Sequence, residues 1–313
     1  MAGKVFVLGS FVVDLMCRTP HLPTPGETVF AGPFKMGPGG KGSNQAIAAA
    51  RAGAGVTFLT QLGEDLFAKL ALDTFKAEGI PLTHIHQTAE HETGAALIMV
   101  EDGAENMITV SVGACNHLTQ VMLDKAKADM SSADVFLTQM ETNLDVMFAG
   151  LKLAKEHGLT TILNPAPVQD IDLASLRDVD IITPNETEAS KLTGITVTCP
   201  KTAEEAADKL MAAGVKTVII TLGKQGALVC DGAQTTLVPA FDVGKPVDTT
   251  GAGDGFNGGF AAALAAGEDI ISATKYGCAV AGLSVTRLGT APAMPQQSEI
   301  QKLLAGKWQQ NVA

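Results

Sequence analysis

Short runs rich in β-branched and aromatic residues alternate along this chain with stretches of helical period. The expected strands are 4–8, 56–60, 134–138, 160–163, 179–182 and 216–221, and the expected helices are 44–52, 65–78, 119–129, 143–157, 185–193 and 202–213. In 143–157, Leu144, Met147, Phe148, Leu151 and Ala154 fall on one helical face. Gly158 then stands where a left-handed residue ends such a helix. A strand–helix repeat of this kind buries its strands only as a mostly parallel sheet with helices on both faces. In such sheets ligands bind beyond the carboxyl ends of the strands.

Two segments break the repeat. Residues 14–40 are rich in Pro and Gly and carry short alternating runs, Thr28-Val29-Phe30 and Phe34-Lys35-Met36. Residues 93–112 read as a hairpin, Ala95–Val100 and Met107–Val112 around a turn at Glu101-Asp102-Gly103. Paired together they would form a small β lid over the strand ends. The expected organisation is therefore an α/β core of 1–13, 41–92 and 113–313, with 14–40 and 93–112 as the lid.

Composition narrows the partners. The formal net charge is −11 with no long basic run, and one Trp and one Tyr offer little for base stacking, so nucleic acid is excluded as a partner. Cys17, Cys115, Cys199, Cys230 and Cys278 are scattered without zinc-ligand spacing, which points to free thiols in a reducing compartment. The first apolar run is too short for a signal segment, and no run is long enough to span a bilayer. A cytoplasmic protein without membrane association is expected.

Asp248-Thr249-Thr250-Gly251-Ala252-Gly253-Asp254 is a Gly-rich turn with two carboxylates, leading into an apolar helix. Unpaired N–H groups and the positive end of the helix dipole make such a start an anion cradle. Asp254 beside it is placed to take a proton from a hydroxyl, as phosphoryl transfer to an alcohol requires. Read alone, the same segment is equally a loop capped by Asp254. Gly37–Gly42 formally matches G-x-G-x-x-G, but it contains Pro38 and does not follow the first strand, which argues against a dinucleotide fold. Lys41 is followed by Gly42 and not by Ser or Thr, so it is not a Walker A loop either. The glycines instead allow close approach of a polar ligand, with Asn44 offering its amide to hydroxyls. Asp14, past the first strand, suits a vicinal diol or caps a loop. Asn185 and Glu188 suit a hydrated Mg²⁺ and equally a helix capping box. Thr221, Gly223 and Gly226 would admit a nucleotide closely, or simply open a hairpin.

Taken in order, these motifs resemble the ribokinase family of sugar and nucleoside kinases. The resemblance rests on Gly39-Gly40-Lys41-Gly42-Ser43-Asn44-Gln45-Ala46, Asn185-Glu186-Thr187-Glu188, Thr221-Leu222-Gly223 and Asp248–Asp254, and runs from the first strand to about Pro295. It implies a three-layer α/β/α sandwich with a β lid, and an ATP-dependent kinase acting on the primary hydroxyl of ribose or a related pentose such as 2-deoxyribose. A ketohexose or nucleoside kinase and a non-catalytic sugar or nucleotide sensor are the alternatives on the same fold. By the resemblance Asp254 is the catalytic base and Gly251, Ala252 and Gly253 form the anion hole. Asp14, Gly39, Gly40, Lys41, Asn44 and Glu141 line the sugar site. Asn185 and Glu188 lie at the Mg²⁺–phosphate region, and Thr221, Gly223 and Gly226 at the nucleotide. Asp248 and Thr250, with Ser284, Arg287, Gly289 and Ala293, would hold a monovalent cation such as K⁺. The lid would pair two subunits into a homodimer. Two positions depart from the pattern. Val12 stands where the family carries Asn, which turns the expected acceptor toward a deoxy sugar or one of different stereochemistry, and Cys278 stands near the expected adenine.

Overall fold

The computed structural model describes residues 3–101 and 106–307. Its larger sheet has nine strands in the order β13-β12-β11-β10-β9-β8-β1-β4-β5. These are β1 (Lys4–Leu8), β4 (Gly55–Gly63), β5 (Ile85–Thr88), β8 (Val135–Gln139), β9 (Thr160–Asn164), β10 (Ile181–Ile182), β11 (Thr217–Thr221), β12 (Ala227–Cys230) and β13 (Thr235–Val238). All neighbours pair in parallel except at β12, which runs against both β11 and β13. The smaller sheet, in the order β3-β2-β6-β7, comprises β2 (Val12–Thr19), β3 (Lys35–Gly39), β6 (Thr93–Glu101) and β7 (Asn106–Gly113).

Alternation along each central strand divides the core in two. In β1, Val5 and Val7 join one buried cluster, and Phe6 and Leu8 join the other. The first cluster takes in helices α1 (Lys41–Arg51), α2 (Leu66–Ala77), α7 (Ala252–Ala265), α8 (Ile270–Ser284) and α9 (Gln297–Leu304). The second takes in α3 (Gln120–Met130), α4 (Leu144–Glu156), α5 (Glu186–Thr193) and α6 (Pro200–Ala212). The result is a three-layer sandwich, in which each fully buried Val, Leu, Ile or Phe contributes about 1.5–3 kcal/mol.

The helices nearest the site touch backbone to backbone. A Cβ at Gly258 of α7 would lie 2.5 Å from both the Ala48 Cβ and the Gln45 carbonyl oxygen of α1. No larger residue fits there, so the start of α1 is drawn against the start of α7.

The expected strands and helices all form, with boundaries shifted by a few residues. The small sheet also takes in Val12 and Val13 at one end and Gly113 at the other. The hairpin turn expected at Asp102-Gly103 lies outside the described residues. Thr28-Val29-Phe30 belongs to no strand, whereas Lys35 and Met36 open β3. The four-residue strands β5, β12 and β13 were not anticipated, because so few positions do not establish a period. Helix α8 escaped notice for the opposite reason: its Ala- and Gly-rich sequence is apolar on most sides and shows no polar face. Among the described residues no helix is long and apolar enough to cross a membrane.

Candidate active site

Four segments meet at the carboxyl end of β1. The Gly39–Gly42 turn between β3 and α1 lies directly on residues 9–12. Gly40 has φ 87°, and a Cβ there would fall 2.7 Å from the Val12 nitrogen. A Cβ at Gly42 would fall 2.5 Å from the Ser10 nitrogen. Only glycine permits that approach, and it delivers Lys41, Asn44 and Gln45 to the first turn of α7.

Asp254 stands buried in that first turn. Asn44 Nδ2 donates to its Oδ2 at 2.9 Å and Gln45 Nε2 to its Oδ1 at 3.0 Å. Asn44 Oδ1 is buried and accepts no hydrogen bond from the protein. An acceptor left bare in this way is suited to a hydroxyl of a ligand. Gly251 begins α7 in the left-handed conformation, with φ 76°. The Ala252 N–H turns back to Thr249 O at 3.2 Å, while the Cα of Gly253 faces open space.

The other acceptor-side residues gather around this point. Asp14, on β2, accepts from Thr290 Oγ1 at 3.1 Å. Burial pushes its pKa up to about 6 against that hydrogen bond, with Glu141 and Asp254 adding to the rise. Glu141 Oε2 accepts from the Ser10 hydroxyl and from the Lys41 N–H at 2.8 Å. Burial works against the Lys41 ammonium, but Asp254, Glu141 and Glu188 outweigh it and hold its pKa above the ordinary lysine value. Gly39 ends β3 with its Cα so close to the Asp14 carboxylate that a Cβ would clash at 2.1 Å.

On the far side of Asp254 opens a cleft of about 880 Å³. Lys41, Asn185, Glu188, Thr221, Gly223 and Gly226 line it, together with Gly251, Ala252, Gly253 and Cys278. Lys41 therefore lines this cleft while its backbone N–H is held by Glu141. Phe241, Val243, Ala281 and Val285 supply an apolar wall that sequence reasoning did not find. They come from an irregular loop and the carboxyl end of α8, which share no spacing. Burial pushes the Cys278 thiol up to about 12, so it is a neutral wall residue and not a nucleophile.

Asn185 and Glu188 form the capping box of α5: Asn185 Oδ1 accepts from Glu188 N at 2.8 Å, and Glu188 Oε2 from Asn185 N at 2.9 Å. Burial pushes the Glu188 pKa up against the Asn185 N–H bond. Among the described residues no group of three or more His, Cys, Asp or Glu could hold a metal ion. A divalent ion held mostly by phosphate and water, with these side chains around it, is the kind that fits. Asp248 accepts from Thr250 N at 2.9 Å and Gly289 N at 3.0 Å, which ties the turn before α7 to the loop after α8. Ser284 ends α8 with its hydroxyl on Ala281 O, Arg287 pairs with Glu299, and Ala293 N donates to Thr290 O.

Sequence reasoning also missed the contacts among the buried polar side chains behind Asp254. Gln45, Gln139, Asn164, Thr183 and Asn257 sit on strand ends and helix interiors far apart in the chain. The available signal was polarity at the ends of otherwise apolar strands, as at Gln139 in β8 and Asn164 in β9.

Comparison with known proteins identifies the family of the chain. The profile of the family described as pfkB family carbohydrate kinase matches residues 2–297. A ribokinase from Haemophilus influenzae is 39% identical over 304 residues, which cover 97% of this chain and 99% of that protein. A deoxyribokinase from Salmonella typhi is 35% identical over 302 residues, covering 96% and 98%. Among solved structures, a ribokinase from Arabidopsis thaliana complexed with ribose and ATP has a TM-score of 0.91 at 30% identity, covering 97% of this chain and 99% of that one.

Asp14 yields a prediction on stability. Its carboxyl titrates at about 6 in the folded chain against an ordinary 3.8. Between these values the folded state binds the extra proton, so stability falls as pH rises and the penalty is complete at pH 7. Ligand-free Asp14→Asn should therefore melt above wild type at pH 7, and the gap should close near pH 4. Thermal denaturation at both pH values checks this, and equal melting at pH 7 would refute it.

Proposed function

The chain belongs to the pfkB family of carbohydrate kinases, and from that premise we propose that it transfers the γ-phosphoryl group of ATP to the primary hydroxyl of a pentose, 2-deoxyribose or ribose. The observation that carries the reading is Asp254: a buried carboxylate held by two amides, lining a nucleotide-sized cleft, with the Asn44 amide oxygen left bare beside it.

In the proposed mechanism Asp14 and Asn44 Oδ1 accept hydrogen bonds from the sugar. Glu141 holds the Lys41 backbone, and Gly39 and Gly40 let the sugar approach the chain. The primary hydroxyl then points at Asp254, which takes its proton as the oxygen bonds to Pγ and the bond to the β-phosphate oxygen breaks. Gly251, Ala252 and Gly253 at the start of α7 face the transferring group, where the helix dipole favours negative charge. Lys41 adds a positive charge between sugar and phosphate. Thr221, Gly223 and Gly226 border the nucleotide, with Phe241 and Val243 as its apolar wall. Mg²⁺ near Asn185 and Glu188 would neutralise phosphate charge. A monovalent cation, K⁺, held by Asp248 with oxygens from Thr250, Ser284, Arg287, Gly289 and Ala293, would stiffen the turn before α7.

Asp254→Asn should lower turnover at least ~10² while leaving ATP binding intact. An ADP-release assay with sugars and nucleosides checks this, with arms lacking Mg²⁺ or replacing K⁺ by Li⁺, both expected to be slower. Near wild-type turnover in the variant would remove Asp254 as base. No acceptor-dependent ADP from the wild type would favour a sensor.

Val12 supports the deoxy sugar. It is buried on β2, two residues before Asp14 and so on the same face of the strand. It packs on β6, where a Cβ at Gly94 would meet Val12 Cγ1 at 2.8 Å. A hydroxyl set against these methyl groups loses its water without gaining a partner. Accordingly kcat/KM should favour 2-deoxyribose over ribose by about tenfold, and Val12→Asn should narrow the ratio. A wild-type preference for ribose would refute the assignment.

The lid carries a further part of the proposal, pairing with a second copy of this chain. Met36, Leu97, Met107, Ile108 and Val110 on the small sheet are each between 40% and 57% exposed. That much apolar surface on one sheet favours a covering partner. Light scattering should give a dimer at micromolar concentration, and Ile108→Asp should yield monomers. A monomeric wild type would refute the pairing.

A further inference from the structure

Behind Asp254 the buried amides close into a hydrogen-bonded ring. The two hydrogens of Gln45 Nε2 go to Asp254 Oδ1 at 3.0 Å and to Asn164 Oδ1 at 2.9 Å. Asn164 Nδ2 donates to Thr183 O at 3.1 Å, and the Thr183 hydroxyl donates to Asn257 Oδ1 at 2.6 Å. Asn257 Nδ2 donates to Gly253 O at 2.8 Å, and the Gly253–Asp254 peptide bond completes the circuit. Gln139 Nε2 donates to Gln45 Oε1 at 2.7 Å from outside the ring. Every side chain in it is buried, whereas Gly253, which closes it through its backbone, is exposed.

We propose that Gln45 is a positioning residue for phosphoryl transfer, and that this ring fixes the base and the peptide of the anion site as one rigid unit. The proposal rests on Asp254 acting as the base. Gln45 touches neither sugar nor nucleotide in this scheme; it acts through Asp254. With its oxygen taken by Gln139, the Gln45 amide cannot flip, because a flip would set that oxygen against the Asp254 carboxylate. Oδ1 is thereby engaged, and Oδ2, beside Asn44, is the oxygen that faces the acceptor. Asn257 holds the carbonyl of Gly253 at the other end of the circuit. A shift of the base and a shift of the helix start are consequently the same motion. Misplacement of a reacting group by even about 1 Å costs up to ~10² in rate, which is the loss such a ring prevents.

Gln45→Glu tests this, because it sets a second carboxylate against Asp254 Oδ1 without changing shape. The charged groups that surround Asp254, Lys41 with Asp14 and Glu188, are the same in variant and wild type. The two carboxylates then share a proton, and the acid limb of the kcat–pH profile should move up by about one pH unit or more. KM for ATP should stay within about twofold, since the change falls on the chemical step. Gln139→Met, which frees the Gln45 amide without adding charge, should lower kcat about tenfold at unchanged KM and keeps the test open if Gln45→Glu does not fold. Asp254→Asn is measured alongside. An unshifted limb in Gln45→Glu and kcat within twofold of wild type in Gln139→Met, with Asp254→Asn inactive, would overturn the positioning role alone. Full turnover in Asp254→Asn would overturn the base assignment beneath it.

Discussion

The backbone contact between α1 and α7 is what the site depends on. Gly258 lies where any Cβ would strike Ala48 and the Gln45 carbonyl, so the two helices meet without intervening side chains. At that separation two neighbouring amides of α1, Asn44 and Gln45, reach the two oxygens of one carboxylate on α7. A wider gap would leave Asp254 buried without donors, and a buried unpaired carboxylate is strongly disfavoured. Packing and chemistry are thus set by the same constraint. The glycines that permit it, at 40, 42 and 258, are spread over both helices and the turn between lid and core.

Charge in the site follows from that geometry. Asp14, Glu141, Asp254 and Glu188 are drawn toward one region, with Lys41 among them. Lys41 keeps its proton because the carboxylates outweigh its burial, whereas Asp14 is pushed toward the neutral form by burial and its acidic neighbours. Hydroxyl groups donating to Asp14 would favour its ionised form. Gathering carboxylates in this way costs stability, in keeping with the general exchange of stability for function.

Much of this was legible in the sequence. The strand–helix repeat specified a parallel sheet with two helical layers, because buried parallel strands and their covering helices leave strong periodic marks. The Gly-rich turns at 39–42 and 251–253 were visible because close backbone approach needs glycine. Less visible was what lies between the motifs. Gln45 was quoted as part of a motif, yet its contacts with Asp254, Asn164 and Gln139 join four separate segments, and no local spacing encodes them. The apolar wall of Phe241, Val243, Ala281 and Val285 was equally hidden, since isolated apolar residues in a loop and at a helix end look like ordinary core. Local chemistry could be read directly; convergence required the fold.

Thr290 shows how far that convergence goes. Its hydroxyl is shared between Asp14 Oδ2 and Pro38 O, both at 3.1 Å, which fastens the lid strands β2 and β3 to the loop after α8. The same residue lies against Gly251, where a Cβ would meet its Cα at 3.3 Å. Its neighbour Gly289 is held by Asp248, whose other oxygen fixes Thr250. The loop at 289–290 therefore touches Asp14, the small sheet and the turn that begins α7. A change in the length or charge of that loop acts on all three at once. Strand β2, which carries Asp14, and the start of α7, which carries Asp254, are consequently registered against each other through one short segment, although they belong to different layers of the fold.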